Sequence, residues 1–252
     1  MQETVLITGA SSGIGEATAR RFGEAGARVI LWARREDRLK KLAHEFGDRA
    51  HYQVVDVTDK AQVQAAVAQL PAAFAEVTVL VNSAGAALGR EKAQDASIED
   101  WEGMVDLNVK GVLFVTHALL PGMIERNRGH ILNVGSVAGK YPYAGGSVYG
   151  ATKAFLEQFS LNLRSDILGK QVRVTNIEPG AVHTEFSIVR FKGDLAASDA
   201  VYQGITPLTG ADIAETIFWS TSLPTHVNIN RIEVMPTNQA FAGFSFDRKP
   251  AG

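Results

Sequence analysis

Thr4-Val5-Leu6-Ile7-Thr8-Gly9-Ala10-Ser11-Ser12-Gly13-Ile14-Gly15 is a short apolar run that stops at a glycine-rich turn and continues into a helical pattern. A run without polar alternation reads as a strand covered on both faces. Glycines allow the tight turn and a close approach of backbone to a phosphate. The helix that follows offers unpaired N–H groups and the positive end of its dipole. The spacing of Gly9, Gly13 and Gly15 is G-x3-G-x-G, which departs from the general dinucleotide fingerprint G-x-G-x-x-G. A strand–helix turn without a ligand is the alternative, and the flanking elements weigh against it.

The same alternation runs outward from this stretch. Strands are expected at 4–8, 28–32, 52–57, 77–81, 130–134, 172–177 and 231–234, and helices at 14–25, 36–46, 59–74, 97–125, 148–168 and 211–220. Ser97 with Asp100 reads as a capping box for the long stretch, which Gly111 and Pro121 should disturb. Because the strands are apolar nearly throughout, the pattern predicts a parallel sheet with helices on both faces, one doubly wound α/β domain over 1–252. Ligands in such sheets bind outside the carboxyl ends of the strands. Residues 181–210 follow the sixth strand without a clear pattern and are a candidate lid.

Composition narrows the function classes. The 252 residues include 25 Lys+Arg against 27 Asp+Glu, a net charge of −2, so no basic surface for nucleic acid is expected. Cysteine is absent, which excludes disulfides, thiolate metal sites and cysteine nucleophiles. The six histidines (44, 51, 117, 130, 183 and 226) show no metal-ligand spacing, so no metal is expected. No run reaches the roughly 18 apolar residues of a membrane span. The N-terminus enters a strand pattern at once, leaving no room for a signal peptide. These readings place the protein in the cytoplasm, without a membrane or nucleic-acid partner.

Two further clusters carry chemistry. At the tip of the second strand, an NAD-selective site places an acidic residue about 20 positions after the glycines, whereas an Arg accommodates a 2′-phosphate. Here the tip reads Trp32-Ala33-Arg34-Arg35, with no carboxylate before Glu36, and NADP is the better fit. The alternative is a solvated basic pair. Tyr149 and Lys153 lie at i and i+4, on one helix face. An ammonium near the phenol favours phenolate and lowers its pKa from about 10, which suits Tyr149 to acid–base work. Ser136, just past the fifth strand, is placed to bond a substrate carbonyl. Tyr-x-x-x-Lys alone is a weak signal, equally a surface pair.

Taken together, Thr8–Gly15, Asp56-Val57, Asn82-Ser83-Ala84-Gly85, Asn108, Ser136, Tyr149-x-x-x-Lys153 and Pro179-Gly180 resemble the short-chain dehydrogenase/reductase family, in its order and across nearly the whole chain. The resemblance implies a Rossmann-like fold with a seven-stranded parallel sheet in the order 3-2-1-4-5-6-7. It implies that Tyr149 is the general acid or base, that Lys153 lowers its pKa and bonds the nicotinamide ribose, and that Ser136 holds the substrate oxygen. Asn108 would keep a water in a proton relay. Gly9, Ser11, Ser12, Gly13, Ile14 and Gly15 would cradle the pyrophosphate of NADP(H), and Arg34 and Arg35 would take its 2′-phosphate. Asp56 and Val57 would flank the adenine. Asn82, Ala84 and Gly85 would steady the central strand and cofactor, while Pro179, Gly180, Val182 and Thr184 would line the nicotinamide. One departure is visible: the family's Asn-Asn-Ala-Gly is Asn-Ser-Ala-Gly here, and Ser83 keeps a hydrogen-bonding side chain.

The stretches 143–149, 178–182, 189–194 and 223–230 are similar to the branch of NADP-dependent 3-hydroxy acid dehydrogenases. That branch implies a small-molecule substrate of the serine, allo-threonine or malonic semialdehyde type. Arg190 and Lys192 in the candidate lid are placed to close over its carboxylate, or else face solvent. Apolar ketones and alcohols, 3-oxoacyl thioesters and a non-catalytic dinucleotide-binding regulator are the alternatives. The family is commonly homotetrameric. Phe155, Phe159 and Leu163 recur at i+4 as a subunit seam or as plain core, and the tail at 243–252 is a candidate cover for a neighbouring subunit's pocket.

Overall fold

Strands that are apolar on both faces need cover on both faces, and the computed structural model, which describes residues 3–241, shows how the chain supplies it. The elements are β1 (Thr4–Thr8), α1 (Gly13–Glu24), β2 (Arg28–Ala33), α2 (Glu36–Phe46), β3 (Ala50–Val54), α3 (Lys60–Ala68), β4 (Val79–Asn82), α4 (Ile98–Val105), α5 (Gly111–Glu125), β5 (Gly129–Val134) and α6 (Ser147–Asp166). They continue with β6 (Val172–Pro179), β7 (Val182–His183), α7 (Phe186–Arg190), α8 (Leu195–Ala200), β8 (Leu208–Thr209), α9 (Gly210–Ser222) and β9 (Arg231–Val234).

Successive residues of one strand serve opposite cores. Val5 and Ile7 pack with Phe22, Leu39 and Ile213 under α1, α2 and α9. Leu6 packs with Val63, Val115 and Leu163 under α3, α5 and α6. Each fully buried aliphatic side chain of this kind contributes about 1.5–3 kcal/mol, so the two clusters hold the sheet between its helices. Seven strands form a parallel sheet in the order β3-β2-β1-β4-β5-β6-β9, a Rossmann-like fold. The seventh strand read from the sequence, 231–234, takes the outer place beside β6. Strand order reverses between β1 and β4, which pair in register at Leu6 and Leu80. The crevice at that reversal is where such sheets bind ligands.

Several expectations shift in detail. Within the stretch 97–125, Ile98–Glu125 is long and apolar enough to cross a membrane by length and composition alone. In the fold, its Val112, Val115, Leu119 and Met123 are buried against the sheet and its neighbours. Its break falls at a wide π-type turn, Asp106–Lys110, and α5 runs on through Pro121. The expected capping box is half formed: the Ser97 hydroxyl accepts from the Asp100 N–H, but it donates to Glu99. The complete box lies at Thr209 and Asp212. The helix expected over 59–74 ends at Ala68, and a separate turn, Ala72–Phe74, follows Pro71.

Residues 181–210 are ordered rather than patternless. β7 and β8 pair Val182 with Leu208 and His183 with Thr209, with α7 and α8 between them. Among the three residues offered as a seam, Leu163 is core and Phe159 packs against it. Phe155 is half-buried and stacks on Phe159 with ring centroids 5.7 Å apart. The tail at 243–252 lies outside the described residues.

Candidate active site

β1 ends at Thr8, whose hydroxyl accepts the N–H groups of Ser83 and Ala84 at 3.1 and 3.0 Å and so ties the first turn to the turn after β4. Gly9 sits at φ +69°, a conformation that disfavours a side chain. A Cβ on Gly15 would stand 2.4 Å from the Gly9 carbonyl oxygen, so only glycine lets α1 start this close to the turn. Ser12 occupies the N-cap of α1 without capping it. Its hydroxyl instead accepts from Arg35 at 2.7 Å. The first-turn N–H groups are therefore not claimed by a capping side chain and face a cleft of about 360 Å³.

That cleft gathers most of the residues singled out from the sequence. Gly9, Ser11, Ser12, Gly13, Ile14, Arg34 and Arg35 line one end, with Asp56 and Val57 beside them. Ala84, Gly85, Ser136, Tyr149 and Lys153 line the middle, and Pro179, Gly180, Val182 and Thr184 the far wall. Gly15, Asn82, Asn108, Arg190 and Lys192 are not on the lining. Asn82 spans strands, donating to Thr116 at 3.1 Å and to Asn133 at 2.8 Å. Asn108, fully buried in the π-type turn, accepts from the Ala86 N–H and donates to the Ala86 carbonyl and the Thr152 hydroxyl. Both of its N–H bonds are spent on holding α6 against the turn after β4, and only an acceptor lone pair is left for the water the resemblance implied.

Tyr149 and Lys153 are both buried, at 8% and 6% exposure. The Lys153 ammonium stands 5.8 Å from the Tyr149 ring centroid and donates to the Val134 carbonyl at 2.7 Å. Here the balance runs against the expected lowering of the phenol. Burial pushes Tyr149 up to about 12, opposed by bonding to Ser136 and, more weakly, by the Arg190 charge. Burial also pulls Lys153 down to about 8. Desolvation disfavours the charged form of each group. At neutral pH the pair is thus a protonated phenol beside an ammonium that loses its proton easily.

The two lid cations part company. Lys192, at φ +53°, pairs with Asp100 at 2.8 Å, and that carboxylate raises its pKa. In this arrangement its charge is paired with a carboxylate of α4, and it does not line the cleft. Arg190 bonds the Gly89 carbonyl at 3.2 Å and the Tyr143 hydroxyl at 3.0 Å, and its charge reaches Tyr149. Arg34 makes no hydrogen bond or ion pair among the described residues, whereas Arg35 is held by Ser11, Ser12 and Glu185.

The sequence reading missed Glu185, Phe186, Val189 and Arg38. Glu185, Phe186 and Val189 line the cleft from the segment that carries no pattern. Arg38 binds Glu185 and the Ser11 carbonyl. Its position three residues after Arg35 on a helix was the available signal.

The residues fit a phosphorylated dinucleotide. The glycine turn leaves room for phosphate beside unclaimed N–H groups, and a free guanidinium stands at the tip of β2. A Cβ on Gly85 would lie 3.3 Å from the Lys153 ammonium, so the glycine keeps that charge open to the cleft.

Comparison with known proteins gives concordant matches. The chain is 55% identical over 245 residues to an NADP-dependent 3-hydroxy acid dehydrogenase YdfG of Salmonella typhimurium, covering 97% of this chain and 99% of the relative. It is 53% identical over 251 residues to sulfoacetaldehyde reductase 2 of Chromohalobacter salexigens, covering 98% and 100%. A solved structure described as the closed form of serine dehydrogenase complexed with NADP+ superposes with a TM-score of 0.96 at 52% identity, covering 97% of this chain and 99% of that one. The family model for short chain dehydrogenases matches residues 3–194, and with the glycine turn, Ser136, Tyr149 and Lys153 brought to one cleft, the chain belongs to the short-chain dehydrogenase family.

Proposed function

We propose that the protein is an NADP-dependent oxidoreductase that moves a hydride between the nicotinamide and a small 3-hydroxy acid or its 3-oxo counterpart. The observation that carries this reading is a buried Tyr149–Lys153 pair with Ser136 on a cleft whose β2 tip ends in a free arginine. Relatives named for NADP-dependent 3-hydroxy acid oxidation, and the serine dehydrogenase structure with NADP+, support it. When bound, the dinucleotide supplies or accepts the hydride at C4 of its nicotinamide.

The chain's own groups do the rest. Ser136 orients the substrate oxygen. In reduction, the π electrons of the C=O bond move to that oxygen as hydride reaches carbon, and Tyr149 gives it the phenol proton. Lys153 stabilises the phenolate left behind, and oxidation runs the same transfers backwards. Glycines 9, 13 and 15 shape the turn that, with the start of α1, holds the pyrophosphate; Arg34 takes the 2′-phosphate with Arg35 bridging to Glu185 beside it, and Asp56 and Val57 flank the adenine. Arg190, whose charge also reaches the reacting phenol, takes the substrate's acid group. The chain acts as one unit over 1–252 with 181–210 as its lid. We also read it as a cytoplasmic homotetramer. The absence of cysteine and the half-buried, stacked Phe155–Phe159 pair support that reading, and a monomeric mass in sedimentation contradicts the assembly.

Steady-state assays with serine, 3-hydroxyisobutyrate, sulfoacetaldehyde, an acetoacetyl thioester and a simple ketone, each with NADP(H) and NAD(H), test the function. The expected result is preference for a carboxylate substrate and for NADP, and best activity on the neutral ketone rejects it. Tyr149→Phe should bind NADPH normally and lose about a hundredfold or more in turnover. Substantial remaining turnover removes Tyr149 from its role. Arg190→Ala should raise KM for acidic substrates only.

A further inference from the structure

Three consecutive residues after β7 reach three separate parts of the cleft. Thr184 backs the glycine turn: a Cβ on Gly13 would lie 3.2 Å from the Thr184 Cβ. The Glu185 carboxylate accepts from Arg35 Nη1 at 2.8 Å and from Arg38 Nη1 at 2.7 Å. The Phe186 ring packs on Tyr149 with centroids 5.6 Å apart. At the far end of α7, the Arg190 carbonyl accepts from the Gly89 N–H at 3.0 Å. The helix is therefore fastened at both ends, and its Glu185 end bridges to α2.

An isolated exposed ion pair contributes little to stability. Glu185 differs because one carboxylate is shared by two guanidiniums, and one of these is also fixed to Ser11 and Ser12. The arginines in turn hold the carboxyl below its usual range, Arg35 foremost. The charges balance as well. A carboxylate beside a phosphate-binding turn repels a phosphate unless it is neutralised. Two arginines neutralise it here and leave Arg34 free for the ligand.

We propose that Glu185 is a positioning residue that clasps the lid to α2 across the cofactor cleft, sets how long the dinucleotide stays bound, and places Phe186 against Tyr149. The proposal rests on the reading that this cleft holds NADP(H). Because Arg38 lies on α2, Arg35 immediately precedes that helix and the carboxylate opens α7, dinucleotide exchange requires the shared bridge to part.

The test is NADPH release, followed by its fluorescence after mixing with excess NADP+. Glu185→Gln should release NADPH about five- to tenfold faster, the loss expected of a partly screened charge network. Added salt should speed release from the wild type and have little effect on the variant. Arg38→Met should also speed release, and the double variant should be no faster than the faster single one. In ligand-free protein, backbone amides of 185–193 should exchange faster in Glu185→Gln while the melting temperature stays near that of the wild type. The salt response and the exchange pattern separate a clasp from a general loss of stability. Wild-type release rates in Glu185→Gln, slower release, or multiplying effects in the double variant overturn the clasp alone. A wild type that binds neither NADPH nor NADH overturns the cofactor reading and the clasp with it.

Discussion

At the scale of single residues, the reactive pair shows how burial overrides proximity. Tyr149 and Lys153 are one helical turn apart, yet loss of solvent raises the phenol to about 12 and lowers the ammonium to about 8. The phenol stays protonated, and so ready to donate, across the whole working range, while Lys153 carries the charge that its phenolate needs only below about 8. The reductive kcat/KM is therefore expected to be flat up to about pH 8, then to fall, approaching about tenfold per pH unit as the charged form is titrated away. Lys153→Arg keeps its charge through this range, so its profile should lose the descent at a lower overall rate. A wild-type profile that keeps rising past pH 9 contradicts the assignment of the charge to Lys153.

At the scale of elements, the turn between β1 and α1 depends on what its residues lack. A side chain on Gly15 meets backbone, the Gly9 carbonyl, which has no flexible end to give way. Gly15→Ala should therefore push α1 off the turn and misplace its first N–H groups. Errors of about 1 Å in such groups cost up to about a hundredfold. Fluorescence titration should show NADPH binding at least about tenfold weaker, and unchanged affinity removes the turn from the phosphate site. The α2 terminus is the counterpart. Arg34, Arg35 and Arg38 lie close in sequence, but Arg34 faces the cleft with no side-chain partner among the described residues, while the other two answer to a carboxylate some 150 positions away.

At the scale of the whole molecule, the far side of the sheet holds a buried carboxyl. Glu178 on β6 is 1% exposed, accepts one bond from Asn176, and has its other oxygen 3.7 Å from Arg231 on β9. Burial raises its pKa to about 7, above the unfolded value near 4.5. The folded protein thus binds more protons than the unfolded one between those limits, and stability falls as pH rises through them. Glu178→Gln escapes that decline. It should melt about 2–4 °C above the wild type at pH 8, the shift of about 1 kcal/mol in a domain of this size, and converge with it near pH 5. A variant that melts lower at pH 8 means that the pairing with Arg231 outweighs the burial.

The seven strands, the glycine turn, the Tyr149–Lys153 spacing and the arginines after β2 were legible in the chain, because local periodicity and short motifs are written in consecutive residues. The direction of the phenol's shift, the capture of Lys192 by Asp100, and the Glu185 bridge were not. Each depends on desolvation or on charges brought together from distant positions, and such quantities come into being only when the chain has closed around them.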